Sequence, residues 1–510
     1  MNLLLNMNKT PQGEGGGGRI LVLGLDGATL DLLQPLAKRG MLPNIGRLIQ
    51  EGCVSPLEST IPPVTIPAWV SMFTGKNPGR LGLYDLLRRD GYGVRPNGGC
   101  FRGRNPIWRI LNAHGYRVGV LNLPGTYPPE EIDGFMVTGM LTPSKSSSSS
   151  YPPDLASTLY RRIPGYELDV PQWAYSDEEE FFDDVCRSTE LRGEAAEYLI
   201  NSIPCHLYII VFTEPDRVQH VLWHRRDKLE EYWMLLDEVV GPLIELFADE
   251  TIFIVSDHGF GPIRKTFYVN EWLMRRGLLQ MENRWSRRLL TGLGRMMEAL
   301  YSKLGEVKLL HPLASMLKEA VGVDRLWRYL YAYLSKERIG DIDWRRTRAF
   351  SCVHTPHFGQ IYINLKGRME EGCVDEEERM RIIDEVIMEL QGLVDEDGKP
   401  LKVEAYRAWE LYDGPYVEEA PDIVFLIEEG SYEVDAKVGV GRTFAPGAPW
   451  TKWTGTHTKT GLLIARGPSI KRGHSLPGAR IIDVTPTLLH LFKVPIPRDI
   501  DGRVLTELFE

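Results

Sequence analysis

The chain has 510 residues, 43% apolar, 25% charged and 10% aromatic, a balance that supports a large buried core. Acidic side chains outnumber basic ones 69 to 59, for a formal net charge of −10, which excludes a protein held to nucleic acid by a general basic surface but leaves room for an anion in a local cationic pocket. No apolar run approaches the roughly 20 residues that span a bilayer, so no transmembrane segment is expected.

Residues 1–18, which include the glycine run Gly15 to Gly18, read as a flexible N-terminal tail with no signal-peptide character. Six scattered cysteines form no C-x-x-C pair, which argues against a disulfide framework or a zinc–thiolate site and points to the cytoplasm. Short β-rich apolar runs follow in order: Arg19 to Leu25, Arg117 to Leu123, Leu207 to Phe212, Thr251 to Ser256, Asp422 to Ile427 and Leu462 to Ala465. Helical patterns separate them, as in Leu222 to Phe247, where Leu235, Leu236, Val239, Val240, Leu243 and Leu246 recur at helical spacing. Near-continuous apolar strands alternating with helices predict an α/β fold with a doubly wound, mainly parallel central sheet and helices on both faces. Ligands of such a sheet gather at the carboxyl ends of its strands. Two stretches break the rhythm. A serine-rich loop, Ser146 to Ser150, leads into an acidic helical pattern, so 143–200 reads as an inserted loop and helix. The stretch 276–344, rich in Leu, Met, Arg and Trp, reads as a helical cap inserted between two parts of one catalytic domain, 19–275 and 345–510.

The strand ends carry the same few residue types. The first ends at Asp26-Gly27; the Leu207 to Phe212 run ends in Thr213-Glu214-Pro215-Asp216-Arg217-Val218-Gln219-His220; the Thr251 to Ser256 run ends in Asp257-His258-Gly259. Asp216 and His220 would stand one turn apart on a helix, able to share one ion, with His224 a rival on the same row. Asp257 and His258 can serve one site only if the chain leaves extended geometry there, which Gly259 permits. Thr65, in Pro62-Pro63-Val64-Thr65-Ile66-Pro67-Ala68-Trp69, sits where a helix begins, a place that suits a cap, an anion or a nucleophile. His457 lies in Trp453-Thr454-Gly455-Thr456-His457. Singly, each feature also fits a turn, a cap or a surface ion pair. Together they supply oxygen and imidazole donors enough for two metal sites.

The ordered set D-G, T-x-P-A-W, D-x-x-x-H, S-D-H-G and G-T-H resembles the alkaline phosphatase superfamily, especially its type I phosphodiesterase and nucleotide pyrophosphatase branch and the related phosphohydrolase/phosphomutase proteins. The resemblance extends through Thr74-Gly75-Lys76-Asn77-Pro78-Gly79 to the closing Asp483-Val484-Thr485-Pro486-Thr487. It implies that Asp216, His220 and His457 hold one divalent metal and Asp26, Asp257 and His258 a second, beside Thr65. The implied activity is metal-dependent hydrolysis of a phosphodiester or phosphomonoester through a phosphothreonyl intermediate, acting on a small phosphorylated substrate. Nitrogen and oxygen donors without thiolate suit zinc or manganese alike, and zinc is the first choice. A phosphomutase of the cofactor-independent phosphoglycerate mutase type is the alternative, and an inactive metal-binding protein the next. A sulfatase is improbable, since Thr65-Ile66-Pro67-Ala68-Trp69 has neither the first residue nor the arginine of C/S-x-P-x-R.

One departure stands out. Nucleotide pyrophosphatases carry a phosphate-holding asparagine about twenty residues after the threonine, where this chain reads Gly82-Leu83-Tyr84-Asp85-Leu86, so a different substrate contact is expected. Lys76, Arg80, Arg88 and Arg89 are candidates for it, as are His354 and His357 approaching from the far side of the cap.

Overall fold

The computed structural model describes residues 18–97, 99–143, 149–170, 175, 177–282, 342–352, 355–449, 451 and 453–510. Residues 1–17 of the expected N-terminal tail, residues 144–148 with the start of the serine-rich loop, the body of the expected cap and His354 lie outside the described residues.

Strand Ile20–Leu25 shows how the sequence builds the fold. Alternate side chains of a strand point to opposite faces, and both faces of this one are apolar. Leu21, Leu23 and Leu25 join a core with the helices Leu30–Lys38, Pro43–Glu51, Glu178–Ser202 and Arg226–Glu245. Ile20 and Val22 join a second core with Thr65–Thr74, Ile107–Ala113 and Val484–Leu491. A strand so buried needs helices above and below it, and the sheet is doubly wound as expected. Five parallel strands form its centre in the order Thr251–Val255, Ile20–Leu25, Leu207–Phe212, Val118–Leu123 and Gly134–Thr138. Thr460–Arg466 runs antiparallel between Thr251–Val255 and Cys53–Glu58. Within 143–200, helix Glu178–Ser202 inserts Phe181, Phe182, Val185, Ala195 and Leu199 into the first core.

One expected strand sits elsewhere. The Asp422 to Ile427 run forms strand Ile423–Ile427 of a separate antiparallel sheet, ordered Ala349–Phe350, Gly359–Ile363, Ile423–Ile427 and Val403–Arg407. Helix Glu376–Gln391 contributes Ile382, Ile383, Val386 and Leu390 to the third core around it. A strand buried on both faces shows the same apolar run in either sheet, so its pattern does not identify its neighbours.

A two-stranded antiparallel ribbon, Gly259–Pro262 with Gly455–Thr458, carries the S-D-H-G segment onto the G-T-H segment, with Phe260 opposite His457. No helix among the described residues is long and apolar enough to cross a membrane.

Candidate active site

The cleft forms at the carboxyl ends of three adjacent parallel strands. Asp26 follows the first strand, and its amide donates to the Phe212 carbonyl at 3.0 Å. Gly27 adopts φ +72°, and a Cβ there would also meet the Phe260 ring at 2.8 Å, so only glycine fits the turn. The Gly27 amide donates to Asp257 Oδ1 at 3.3 Å, and Gln219 Nε2 donates to the Gly27 carbonyl at 3.0 Å. One turn thus ties together three motifs. Strand Thr251–Val255 stops before Asp257, and a new strand starts at Gly259, so Asp257 and His258 both turn into the cleft, fully buried. A Cβ on Gly259 would run into the Thr460 carbonyl oxygen.

Thr65 is the first residue of helix Thr65–Thr74, with its Oγ1 3.5 Å from His258 Nε2. On the same helix Trp69 Nε1 donates to Asp26 Oδ2 at 3.1 Å, which accounts for the tryptophan of T-x-P-A-W. His258 Nδ1 lies 3.1 Å from the Gly259 carbonyl, and a carbonyl only accepts, so the proton is on Nδ1 and the Nε2 lone pair faces the carboxylates. That Nε2 is 3.2 Å from Asp257 Oδ2 and 3.4 Å from Asp26 Oδ1. Both of these oxygens are buried without a hydrogen-bond donor. Three lone-pair atoms converging in a buried pocket are costly on their own and become favourable around a cation, so the donor set fits a divalent metal. Burial, then the charge of Asp216, pushes Asp26 well above the usual carboxylate range. Burial, followed by Asp26 and Asp216, does the same to Asp257.

The other end of the cleft is rich in imidazole. Asp216 and His220 stand one turn apart on helix Glu214–Leu222, and Asp216 Oδ1 is 3.3 Å from His220 Nε2 and 2.9 Å from His457 Nε2. The two Nε2 atoms are 3.0 Å apart. Both histidines donate Nδ1–H to backbone carbonyls, His220 to Gly455 at 3.0 Å and His457 to Pro63 at 2.9 Å, the anchoring that metal-ligating histidines use to set their tautomer. Arg217 Nη1 donates to Asp216 Oδ2 at 2.7 Å and its guanidinium also grips Asp169, which turns Oδ1 of Asp216 towards the histidines. Burial raises the Asp216 pKa, but His220, His457 and Arg217 outweigh it and hold the carboxyl well below its ordinary range. Burial, reinforced by His457, keeps His258 neutral, and burial lowers His457 despite the opposing pull of Asp216. The whole helix is held from behind by a buried pair, Arg192 with Glu214, joined by Ser188.

Among the described residues, three sets have donor atoms that lie within 4.8 Å of one another in each set: Asp26, Asp257 and His258; Asp216, His258 and His457; His220, His357 and His457. The structure therefore brings together all six expected ligands and Thr65. It also brings His357 into the imidazole cluster, where it is neutral through burial and the neighbouring histidines, and stacks on His457 with ring centroids 3.6 Å apart. The other expected contacts lie outside the cluster. Lys76 Nζ binds the Arg104 carbonyl and the Asp499 carboxylate, fastening the C-terminal segment. Arg80 pairs with Asp501 and Arg88 with Glu419, while Arg89 lies over the Tyr362 ring. His224 is exposed, near Thr454 and Glu178. Asp85, in the Gly82 to Leu86 stretch where the sequence departs from the family, accepts from the Leu86 amide and the Thr355 hydroxyl. Sequence reasoning missed Arg217, Gln219 and the roof residue Trp453, whose ring lies 4.1 Å from that of His220. Trp453 had a signal in W-T-G-T-H; the partners of Arg217 and Gln219 are distant in sequence and left none.

The sequence matches the type I phosphodiesterase / nucleotide pyrophosphatase family over residues 20–441, a span that holds every clustered ligand except His457. No curated protein matches the chain. His457 is drawn into the cluster by the ribbon and by its 2.9 Å contact with Asp216, beyond the matched span. The chain belongs to the type I phosphodiesterase / nucleotide pyrophosphatase family of the alkaline phosphatase superfamily, metal-dependent hydrolases that act on phosphoric ester bonds.

Proposed function

We propose that the protein hydrolyses a small phosphodiester or phosphomonoester at a two-metal cleft, with Thr65 as the nucleophile. The observation that carries this is the place of Thr65, at a helix N-terminus and 3.5 Å from His258 Nε2, beside two buried carboxylate oxygens with no donor. Asp216, His220 and His457, with their donor atoms 2.9–3.3 Å apart, would hold one divalent ion and Asp26, Asp257 and His258 the other, with zinc favoured over manganese by the donor types. Bound there, two such ions lower the pKa of the attacking hydroxyl and neutralise charge on the attacking and departing oxygens.

The chain's own groups set the stage for that chemistry. Thr65 Oγ gives up its proton to solvent and attacks phosphorus, the bond to the leaving oxygen breaks, and the leaving alcohol takes a proton from solvent. Water then cleaves the phosphorus–Oγ bond, restoring the threonine. Amides at the start of the Thr65 helix favour negative charge on the transferring group. Trp69 and Arg217 hold one oxygen each of Asp26 and Asp216 and so orient the opposite oxygens into the cleft. The catalytic unit comprises 19–275 and 345–510, and the six unpaired cysteines accord with a cytoplasmic setting.

Elemental analysis of freshly purified protein, paired with cleavage of bis-p-nitrophenyl phosphate and p-nitrophenyl phosphate, tests this. About two divalent ions per chain are expected, and Thr65→Ala should lose on the order of 10³-fold or more in turnover while keeping them. Protein free of divalent ions, or an alanine variant as fast as its parent, overturns it. Transfer of the phosphoryl group to a second substrate hydroxyl in preference to water would identify a phosphomutase instead.

A further inference from the structure

His357 is not needed by the six-ligand arrangement, yet it is built into it. It lies on the loop before strand Gly359–Ile363 of the smaller sheet, so it reaches the cleft from a different layer than the other ligands. Its side chain is 2% exposed, and one of its ring nitrogens lies within 4.8 Å of the ligand nitrogens of His220 and His457. The rings of His258, His457 and His357 form a column with successive centroids 3.5 and 3.6 Å apart. His357 Nδ1 is 2.9 Å from Thr456 Oγ1, which leaves Nε2 for the cleft. His220, His258 and His457 are likewise anchored through Nδ1 with Nε2 turned inward. All four histidines thus have an anchored Nδ1, three on backbone carbonyls and His357 on a hydroxyl, so that Nε2 is the nitrogen free of the anchor in each.

We propose that His357 is a fourth protein ligand at the imidazole end of the cleft, completing a site of Asp216, His220, His357 and His457 that selects a borderline transition-metal ion such as zinc over manganese or magnesium. The proposal rests on the two-metal reading above. Three imidazoles and one carboxylate suit zinc, whereas the pair of carboxylates with one imidazole at Asp26, Asp257 and His258 suits harder ions as well. The two ends therefore differ in selectivity, and His357 makes the difference.

The test uses the full chain stripped by a chelator and titrated separately with zinc, manganese and cobalt(II), with affinity read by competition against a chromophoric chelator and coordination read from the cobalt visible absorption. Wild-type protein should take up two zinc ions but only one manganese ion tightly. His357→Ala and His357→Gln should each weaken one zinc site by roughly 100-fold or more, beyond the ~10–100-fold that loss of an outer partner costs, and change the cobalt spectrum. The second zinc should bind as before. Thr456→Val, which removes only the Nδ1 anchor, should weaken the same site by about tenfold. Either His357 variant binding both zinc ions with wild-type affinity and an unchanged cobalt spectrum overturns the proposal, and a raised KM alongside would make His357 a substrate contact. Wild-type protein that binds no divalent ion at all defeats the underlying two-metal reading, a result distinct from unchanged binding in the variants.

Discussion

The two ends of the cleft are held by different means. Asp26, Asp257 and His258 leave neighbouring strands of the central sheet, so strand pairing sets where their backbones stand. Asp216 and His220 sit on a helix, while His357 and His457 come from the smaller sheet's approach loop and from the ribbon; their aim is set by side-chain bonds to Arg217, Gly455, Thr456 and Pro63. A site end fixed by sheet register tolerates loss of one supporting contact. An end fixed by tertiary contacts should not.

The largest expected effect tests whether the two ends act together. Asp257→Asn and His457→Ala each remove a proposed ligand, one from each end, and each should cost about 10²–10⁴-fold in kcat/KM. The double variant should be little worse than either, since a two-metal centre fails as a unit. Fully multiplicative losses would show that the ends work independently.

Arg217→Met probes the support of the imidazole end. It leaves the buried Asp216 and the part-exposed Asp169 without their common partner, and denaturant unfolding should show a loss of about 3 kcal/mol, carried mainly by Asp216. Zinc affinity at one site should fall with it, and a variant as stable as the parent would refute the assigned role.

Glu433 offers a test through pH. Its side chain accepts from Thr451, two residues before Trp453, and is 3% exposed. Burial pushes its carboxyl up to about 8 from 4.5. The folded state favours the protonated acid while the unfolded chain ionises, so stability falls as pH rises from about 4.5 to about 8. Glu433→Gln should match the parent near pH 4.5 and exceed it by a few kcal/mol at pH 8, in unfolding measurements across that range. A constant difference between the two proteins would exclude a buried, neutral Glu433.

The smallest effect belongs to the carboxylate end. Trp69→Phe keeps the packing and removes the donor to Asp26 Oδ2, at a cost of about 1–2 kcal/mol in stability. Metal affinity at that end should fall about tenfold, with the other end unchanged. Equal weakening at both would erase the contrast between sheet-held and contact-held ligands.

The sequence exposes the sheet-held end most readily. Asp26, Asp257 and His258 are marked by the strand ends that present them, and Asp216 with His220 by a spacing of one helical turn. His457 became visible only through the order of motifs along the chain. His357 was noticed as a group reaching the site from the far side of the cap, and the structure does bring it to the cleft, but nothing local says which layer its loop approaches. Arg217 next to Asp216 looks like any helix surface pair until Asp169 and burial are known. Lys76 misled in the opposite way: a cation beside a recognisable motif suggested phosphate, but it is bound to Asp499, far along the chain. Local pattern names elements and strand-end chemistry; partners at long separation decide which charges are working ligands and which are fastenings.

The ribbon that lays Gly455–Thr458 against Gly259–Pro262 has a consequence for biosynthesis. The ribosome delivers Asp26, Thr65, Asp216, His220, Asp257 and His258 before the strand bearing His457 exists. Until that strand pairs, the imidazole end lacks a ligand and the three motifs face a cleft open on one side. On the two-metal reading, loading of the imidazole end must await this strand. A nascent chain stalled before residue 455 should hold the carboxylate end in outline, but no zinc-selective pocket.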